Sequence, residues 1–223
     1  MLGIIGGTSL LFCDLPPLKK EIIATPYGSA EVHTGEVPLL LRHQFQRPPH
    51  RINYQANLAA LAILGVDQVV LVGSAGSLKR SIPPDSIVVP DDYLSVAPVP
   101  TIHDHAIEHI CPGFSRSMRR ELVTCDDRMI EGGTYVQTCG PRIETRAEVQ
   151  GLAAVGDLVG MTIASEATIA AELKIACAAV CTVDNYAQGL CAEEVTYEMI
   201  LASAEANRVR TQALIQAIVT TMG

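Results

Sequence analysis

Arg42-His43, at the end of an apolar run, are two cationic or switchable donors that fit an anion site. A carboxylate, Glu144, stands after the turn-forming Gly140-Pro141 and before Thr145. Thr145 and Glu148 have the spacing of a capping box, so Glu144 is held between a strand end and a helix start. Asn185 ends another apolar run and brings an amide that both donates and accepts. Thr8 after Gly6-Gly7, Gly73-Ser74 after Val72, and Met161-Thr162 after Gly160 add hydroxyls and accessible backbone N–H groups. These types suit a site that holds an anion and reads an uncharged polar ligand edge. Each has a plainer reading when taken singly. Gly6-Gly7 is also a tight turn, Arg42-His43 also a surface pair, and Thr145 to Glu148 also a helix start whose acids suit its dipole.

The elements that must position them alternate between strand and helix. The pattern predicts strands over residues 2–5, 31–34, 37–41, 67–72, 87–90, 134–138, 157–160 and 178–183. It predicts helices over 52–65, 115–124, 144–155, 165–177 and 193–222, the last as one long C-terminal helix. Gly73 to Ser77 reads as a small-residue loop that closes a core strand. Residues 91–112 read as a long irregular segment with Pro98, Pro100, His103, His105 and His109, suited to a lid or a subunit contact. The alternation implies an α/β fold: a single domain over 1–223, with a mixed central β-sheet flanked by helices. The polar clusters at Thr8, Arg42-His43, Gly73-Ser74, Glu144, Met161-Thr162 and Asn185 all fall at strand ends. Six such ends suggest one crevice, because ligand sites of α/β sheets gather there.

Bulk properties narrow the function classes. Hydrophobic residues make up 48% and charged residues 18%, enough for a sizeable core. The net charge of −8 and the lack of a basic stripe argue against a nucleic-acid partner. The start Met1-Leu2-Gly3-Ile4-Ile5-Gly6-Gly7 has no basic leader, and no apolar run approaches a membrane span. Seven Cys without a CxxC pair read as reduced thiols of a cytoplasmic protein, and metal-ligand spacings are missing. No metal or cofactor is expected.

The motifs in order resemble the trimeric purine nucleoside phosphorylase family, in the branch with methylthioadenosine and methylthioinosine phosphorylases. They are Ile4-Ile5-Gly6-Gly7-Thr8, Arg42-His43, Ile52-Asn53-Tyr54-Gln55-Ala56-Asn57 and Gly76-Ser77-Leu78. They continue with Gly140 to Glu148, Gly160-Met161-Thr162 with Glu166, and Asn185-Tyr186-Ala187. The resemblance implies attack of inorganic phosphate, as co-substrate, on a purine nucleoside, releasing the base and a ribose 1-phosphate or its 5-methylthio analogue. It implies phosphate contacts at Thr8, Arg42, His43, Gly73, Ser74 and Thr162. It implies a substrate set of Met161 against the ribose, with Ile143, Glu144, Asn185, Tyr186 and Ala187 around the base. His103 would reach a neighbouring subunit's site, with His105 as the alternative, in a homotrimer or dimer of trimers. The expected catalytic residues are Asn185, Glu144 and His43.

The base pocket points to a 6-oxopurine. A carboxylate such as Glu144 accepts from N1–H, and Asn185 donates to O6 or N7. By resemblance, adenine-reading relatives carry aspartates at the Asn185 and Ala187 positions, and these are missing here. Methylthioinosine, inosine and guanosine are therefore the expected substrates, with methylthioadenosine as the alternative. A water-using nucleosidase and a non-catalytic nucleoside-binding protein are the competing classes. Two departures stand out. Gln44-Phe45-Gln46-Arg47 replaces the family's Gly and His after Arg-His, and Ile143 replaces an aromatic that packs on the base in many relatives.

Overall fold

The structure is a computed structural model describing residues 1–14, 18–192 and 194–223. The first half supplies β1 (Leu2–Gly6), β2 (Lys19–Thr25), β3 (Gly28–Thr34), β4 (Leu39–Leu41), α1 (Tyr54–Ile63), β5 (Gln68–Ser77), β6 (Ile87–Val89) and β7 (Asp92–Ser95). The second half supplies α2 (Arg116–Leu122), β8 (Ile130–Glu131), β9 (Thr134–Gln137), α3 (Arg146–Leu152), β10 (Leu158–Gly160), α4 (Ile163–Glu172), β11 (Ala176–Tyr186), α5 (Tyr197–Ala206) and α6 (Arg208–Met222). Among the described residues, 11 strands join in one mixed sheet, so the fold is α/β as expected. None of the described helices is long and apolar enough to cross a membrane.

Strand β5 is the axis. Its run Val69-Val70-Leu71-Val72 is buried on both faces, as a central strand between helix layers must be. Val69 and Leu71 pack with Leu58 and Leu61 of α1 and Ile163 and Ile169 of α4. Val70 and Val72 pack on the other side with Met118 and Leu122 of α2 and Leu214 and Ile218 of α6. One edge of β5 is covered along its whole length by parallel β11. The other edge is shared: β1 pairs in parallel with residues 68–71, and β10 pairs antiparallel with Gly76 and Ser77. Between them, residues 72–75 have no strand on that edge. This gap is where the candidate site forms.

Several expectations change. Gly73 to Ser77 is the second half of β5, not a loop, because β11 continues to pair with it. Asp184, Asn185 and Tyr186 likewise belong to β11, with a register slip between Val183 and Asn185 that leaves Asp184 as the bulged residue. The irregular segment contains β7, paired in parallel with β9. Strand β2 escaped notice; it pairs with β3 as an exposed, charge-bearing hairpin. Helix α3 begins after Thr145, so Glu144 lies outside it. Cys177 belongs to β11 rather than to α4. The C-terminal helix is two helices broken at Asn207, whose side chain donates to Ser203 O at 3.1 Å and to Asp85 Oδ1 at 2.7 Å. An Asn side chain that competes with the backbone ladder is a physical reason for the break. The expected start of that helix, Glu193, lies outside the described residues.

Gly160 shows how tightly the strand ends are packed. A Cβ there would overlap Tyr135 Oη and stand only 3.0 Å from a carbon of its ring. Tyr135 is fully buried and accepts from Thr162 N at 3.3 Å, so its ring has no room to retreat. Gly160→Ala should cost about 1–3 kcal/mol through overpacking, read as a lower urea midpoint at unchanged slope. A midpoint equal to that of the wild type would contradict this packing.

Candidate active site

A cavity of about 660 Å³ opens in the gap beside β5. Its wall takes Ser74, Ala75 and Gly76 from β5, Val159 and Gly160 from β10, and Asn185 from β11. Thr8 comes from the turn after β1, Arg42 and His43 from the end of β4, and Met161 and Thr162 from the entry to α4. Ile143 and Glu144 come from the segment before α3. The strand-end residues singled out in the sequence therefore do converge on one cavity.

Arg42 fills the gap in the ladder. It is 3% exposed, and its Nη1 donates to Val72 O at 2.8 Å. Nε and Nη2 form a fork with Glu166 Oε1 and Oε2 at 2.7 and 2.9 Å. Nη2 also approaches Ile5 O at 3.5 Å. The side chain thus satisfies carbonyls that strand pairing leaves open. Gly7 permits this, since a Cβ there would lie 2.5 Å from Nη1. Burial alone would lower Arg42's hold on its proton, but Glu166 overcomes this and keeps the guanidinium charged. Of its five N–H donors, one on Nη1 remains unspent, on a side chain that lines the cavity. Glu166 is the residue that the sequence analysis left without a role. A carboxylate inside the Ala- and Ile-rich run 163–172 was the available signal.

His43 is set up differently from a cationic clamp. Its Nδ1 bonds Arg47 O at 2.9 Å, which requires the Nδ1–H tautomer in the neutral ring and leaves Nε2 as an acceptor. Burial pushes its pKa below the ordinary value, and Arg42 adds to this against the Arg47 bond. The ring is therefore neutral at pH 7 and becomes a double donor only at lower pH. The segment after it is strained: Phe45 and Gln46 both have φ of 56°. The Gln44 amide clamps it to β3 by accepting from Glu31 N and donating to Glu31 O, both at 2.8 Å.

The entry to α4 presents a hydroxyl, while its backbone N–H groups at Thr162 and Ser165 are already bonded to Tyr135 and Gln137. Thr162 is its N-cap residue, yet its side chain makes no capping bond. Ser165 N is instead met by Gln137 Oε1 at 3.0 Å, and Gln137 Nε2 donates to Ser165 Oγ at 2.7 Å. The helix start is thereby locked to β9 while the Thr162 hydroxyl stays available beside the cavity. A helix N-terminus favours negative charge.

Glu144 is 8% exposed and accepts from Thr138 Oγ1 at 2.5 Å. The expected capping box is present: Glu148 N donates to Thr145 Oγ1 at 3.2 Å, and Thr145 N donates to Glu148 Oε2 at 2.7 Å. Arg142 then grips Glu148 at 2.8 and 2.6 Å. Asn185 Nδ2 donates to Tyr186 O at 2.8 Å, which leaves its second N–H and its Oδ1. Ala187 also lines the cavity.

Two expected residues are not brought in, and a third, His103, was expected in a neighbouring subunit's site rather than in this cavity. Gly73 faces α4, where a Cβ would meet Ile163 Cδ1 at 2.5 Å. Tyr186 Oη donates to Arg80 O at 3.3 Å, away from the lining. His103 lies on a loop tied to the far end of α4 by Thr101 Oγ1 and Ile102 N, both donating to Glu172 at 2.7 Å. Its Nδ1 stands 3.7 Å from Glu108, and it does not reach this chain's own cavity. The lining residues missed by sequence reasoning include the apolar Leu11, Pro48, Val195, Tyr197 and Ile200, of which Leu11 and Tyr197 are more than half exposed. They come from loops and from α5, whose position no local pattern specifies. Among the described residues, no three His, Cys, Asp or Glu side chains gather as a metal-holding group.

Fold and site together define an α/β protein whose strand-end cavity combines anion-holding donors with a carboxylate–amide pair. The chain belongs to the phosphorylase superfamily, which it matches over residues 1–220. It is 40% identical over 220 residues to a probable 6-oxopurine nucleoside phosphorylase of Archaeoglobus fulgidus, covering 93% of this chain and 90% of that one. It is 37% identical to a probable S-methyl-5′-thioinosine phosphorylase of Methanocaldococcus jannaschii, over 90% of this chain and 84% of that one. The solved methylthioadenosine phosphorylase of Schistosoma mansoni in complex with adenine superposes with a TM-score of 0.89 at 22% identity, over 98% and 90% of the two chains, and shows the shared fold.

Removing Glu166 would leave the Arg42 charge buried without its partner. Glu166→Ala should cost about 3–5 kcal/mol of folding stability. Chemical denaturation checks this, and a loss below about 1 kcal/mol, the range of exposed pairs, would contradict the buried fork.

Proposed function

We propose that this protein is a pentosyltransferase that cleaves a 6-oxopurine nucleoside with inorganic phosphate, giving the free purine and a ribose 1-phosphate or its 5-methylthio analogue. The observation that carries this reading is the polarity of one cavity. Anion-holding groups (Thr8, Arg42, His43, Ser74 and Thr162) share it with Glu144 and Asn185. Met161 lines the same space and suits the apolar face of a ribose. The names of the relatives in Archaeoglobus and Methanocaldococcus support the same assignment.

In this mechanism a phosphate oxygen forms the bond to C1′ as the C1′–N9 bond breaks, and the bonding pair leaves with the purine. Charge develops positively on the ribose and negatively on the base. Asn185 donates its remaining N–H to the base at N7 or O6, while Glu144 accepts from N1–H. The anion subsite holds phosphate as nucleophile and counter-charge, with the free Arg42 N–H and the Thr8 and Thr162 hydroxyls as donors and the dipole of α4 favouring its charge. His43 Nε2 accepts from a phosphate or ribose hydroxyl. Catalysis by these groups is positioning and electrostatic stabilisation. No resident cofactor takes part in it.

The apolar lining residues Leu11, Pro48, Val195, Tyr197 and Ile200 favour a 5′-methylthio group, which offers them apolar surface that a 5′-hydroxyl lacks. Methylthioinosine is therefore the preferred member of the class. The alternative, a methylthioadenosine phosphorylase, draws on the Schistosoma neighbours, but Ala187 offers no acceptor for an amino group. A homotrimer, or a dimer of trimers, accounts for the exposed apolar side chains Val96, Val99 and Ile107, the last 94% exposed, as subunit contacts near His103. The compartment that suits this reading is the cytoplasm.

Base release from methylthioinosine, inosine, guanosine and methylthioadenosine, with and without phosphate, tests the reading. Release that depends on phosphate and is fastest for methylthioinosine is expected, whereas release without phosphate would indicate a nucleosidase. Asn185→Ala should lower kcat by about 10²–10³-fold, as loss of a transition-state donor does, while the melting temperature changes little. An unchanged rate would remove Asn185 from its role. Exchanging both Asn185 and Ala187 for Asp should shift preference towards adenosine-type substrates, and a fixed preference would sink the base-reading argument.

A further inference from the structure

The cavity wall at Ser74 is backed by a half-buried polar chain that the mechanism above does not use. Ser74 Oγ donates to Asp184 Oδ2. Ser9 Oγ and Thr182 Oγ1 lie 2.9 Å apart, and Thr182 Oγ1 stands 3.4 Å from Gly73 O. Asp184 is the bulged residue of β11 and does not line the cavity, whereas its neighbour Asn185 does. Thus Ser74 touches both the ligand space and a carboxyl group that does not.

A hydroxyl has a single proton to give. While Asp184 is ionised it is acceptor-only, so Ser74 must donate to it and can offer the cavity only lone pairs. Those lone pairs face a subsite whose ligand is an oxyanion, itself rich in acceptors. Once Asp184 carries a proton, it can donate to Ser74, and Ser74 can donate to the anion. We propose that Asp184 sets the hydrogen-bonding direction of Ser74, so that the site takes up a proton at Asp184 when it binds a tetrahedral oxyanion. This rests on the phosphate-using reading above. Asp184 is a positioning residue, acting on the ligand through Ser74.

The surroundings permit such a proton. Burial pushes the Asp184 carboxyl up to about 6. The bond from Ser74 opposes this, the Asp85 charge adds to it, and bonds from Thr182 and from Ser203 on α5 oppose it. Asp85, at the turn before β6, is itself held by Asn207 Nδ2 at 2.7 Å, and Arg210 Nη1 donates to its backbone carbonyl. Buried Cys181 is the nearby thiol on β11, pushed up to about 12 by burial, and therefore stays neutral. Among the described residues, no cation forms an ion pair with Asp184. On the cavity side stand Arg42, which stays charged, and His43, which gains charge as pH falls and also favours anions. The sign is therefore common to both groups: anion affinity rises as pH falls. The Asp184 share must be separated from the His43 share by substitution.

Sulfate is the probe, because it is a tetrahedral dianion that does not titrate between pH 5.5 and 8. Its affinity is measured across that range by calorimetry, in two buffers of different ionisation enthalpy, for the wild-type protein, Asp184→Asn and Ser74→Ala. The Asp184→Asn variant supplies a permanent amide donor to Ser74, and Ser74→Ala removes the hydroxyl while keeping the carboxyl. The wild-type gain in affinity from pH 8 to 5.5 should exceed that of either variant by about tenfold, with correspondingly more proton uptake per sulfate bound. The remaining gain in the variants is that of His43. If either variant, folded by its thermal transition, keeps the wild-type pH dependence and proton uptake, the coupling is overturned. If the wild-type protein binds no sulfate at any pH, the anion subsite itself falls, and with it the phosphate-using reading.

Discussion

One buried ion pair closes the weakest place in this sheet. Strand β1 leaves the edge of β5 after Leu71, and β10 takes it up only at Gly76. Any such interval exposes backbone groups that a core cannot leave unmet. Arg42 meets the Val72 carbonyl directly and is held in place by Glu166 from the first turn of α4. A lysine could not do this, since only a planar fork satisfies a carboxylate with two bonds and still has donors for a carbonyl. The same arrangement keeps an interval of sheet open without letting it collapse, and that interval is the cavity.

The rest of the site follows from how the opening is framed. The antiparallel entry of β10 brings its end, at Gly160 and Met161, towards the C-terminal half of β5 from the opposite direction to β1. Loops from both parts of the sheet therefore face each other across one space. The bulge at Asp184 adds a second asymmetry, since without it Asn185 would keep the alternation of the buried strand and turn towards the core. Such irregularities in otherwise regular strands are where side chains are re-aimed for use.

Much of this was legible in the sequence. Long apolar runs such as Val69 to Val72 and Ala178 to Val183 announced themselves, as did the capping box at Thr145 and Glu148. The convergence of the polar clusters on one cavity was legible, although Ser74 and Asn185 lie within β5 and β11 rather than at strand ends. What failed had physical causes. Small residues from Gly73 to Ser77 look like a loop, yet a partner strand supplied from far along the chain makes them a strand. Arg42 looks like an exposed clamp, yet its carboxylate partner lies 124 residues away. The lining by Tyr197 and Ile200 needed the placement of α5, which depends on tertiary packing alone. Asn207, an ordinary helix-interior residue by spacing, breaks the last helix because its side chain finds Asp85 across the surface.

The shared edge of β5 has a bearing on how the protein reaches its working state. The cavity draws on Thr8 near one end of the chain, Asn185 and Tyr197 near the other, and several segments between. No short stretch of chain brings together Thr8, Arg42, Glu144 and Asn185. The first strand must dock, the sheet must branch, and the bulged strand must zip along β5 before any ligand finds its partners. Non-local pairing of this kind is slow to assemble and is gained late. Ligand binding therefore reports on completion of the whole fold, and a bound anion or nucleoside draws its stabilising effect from the folded chain alone.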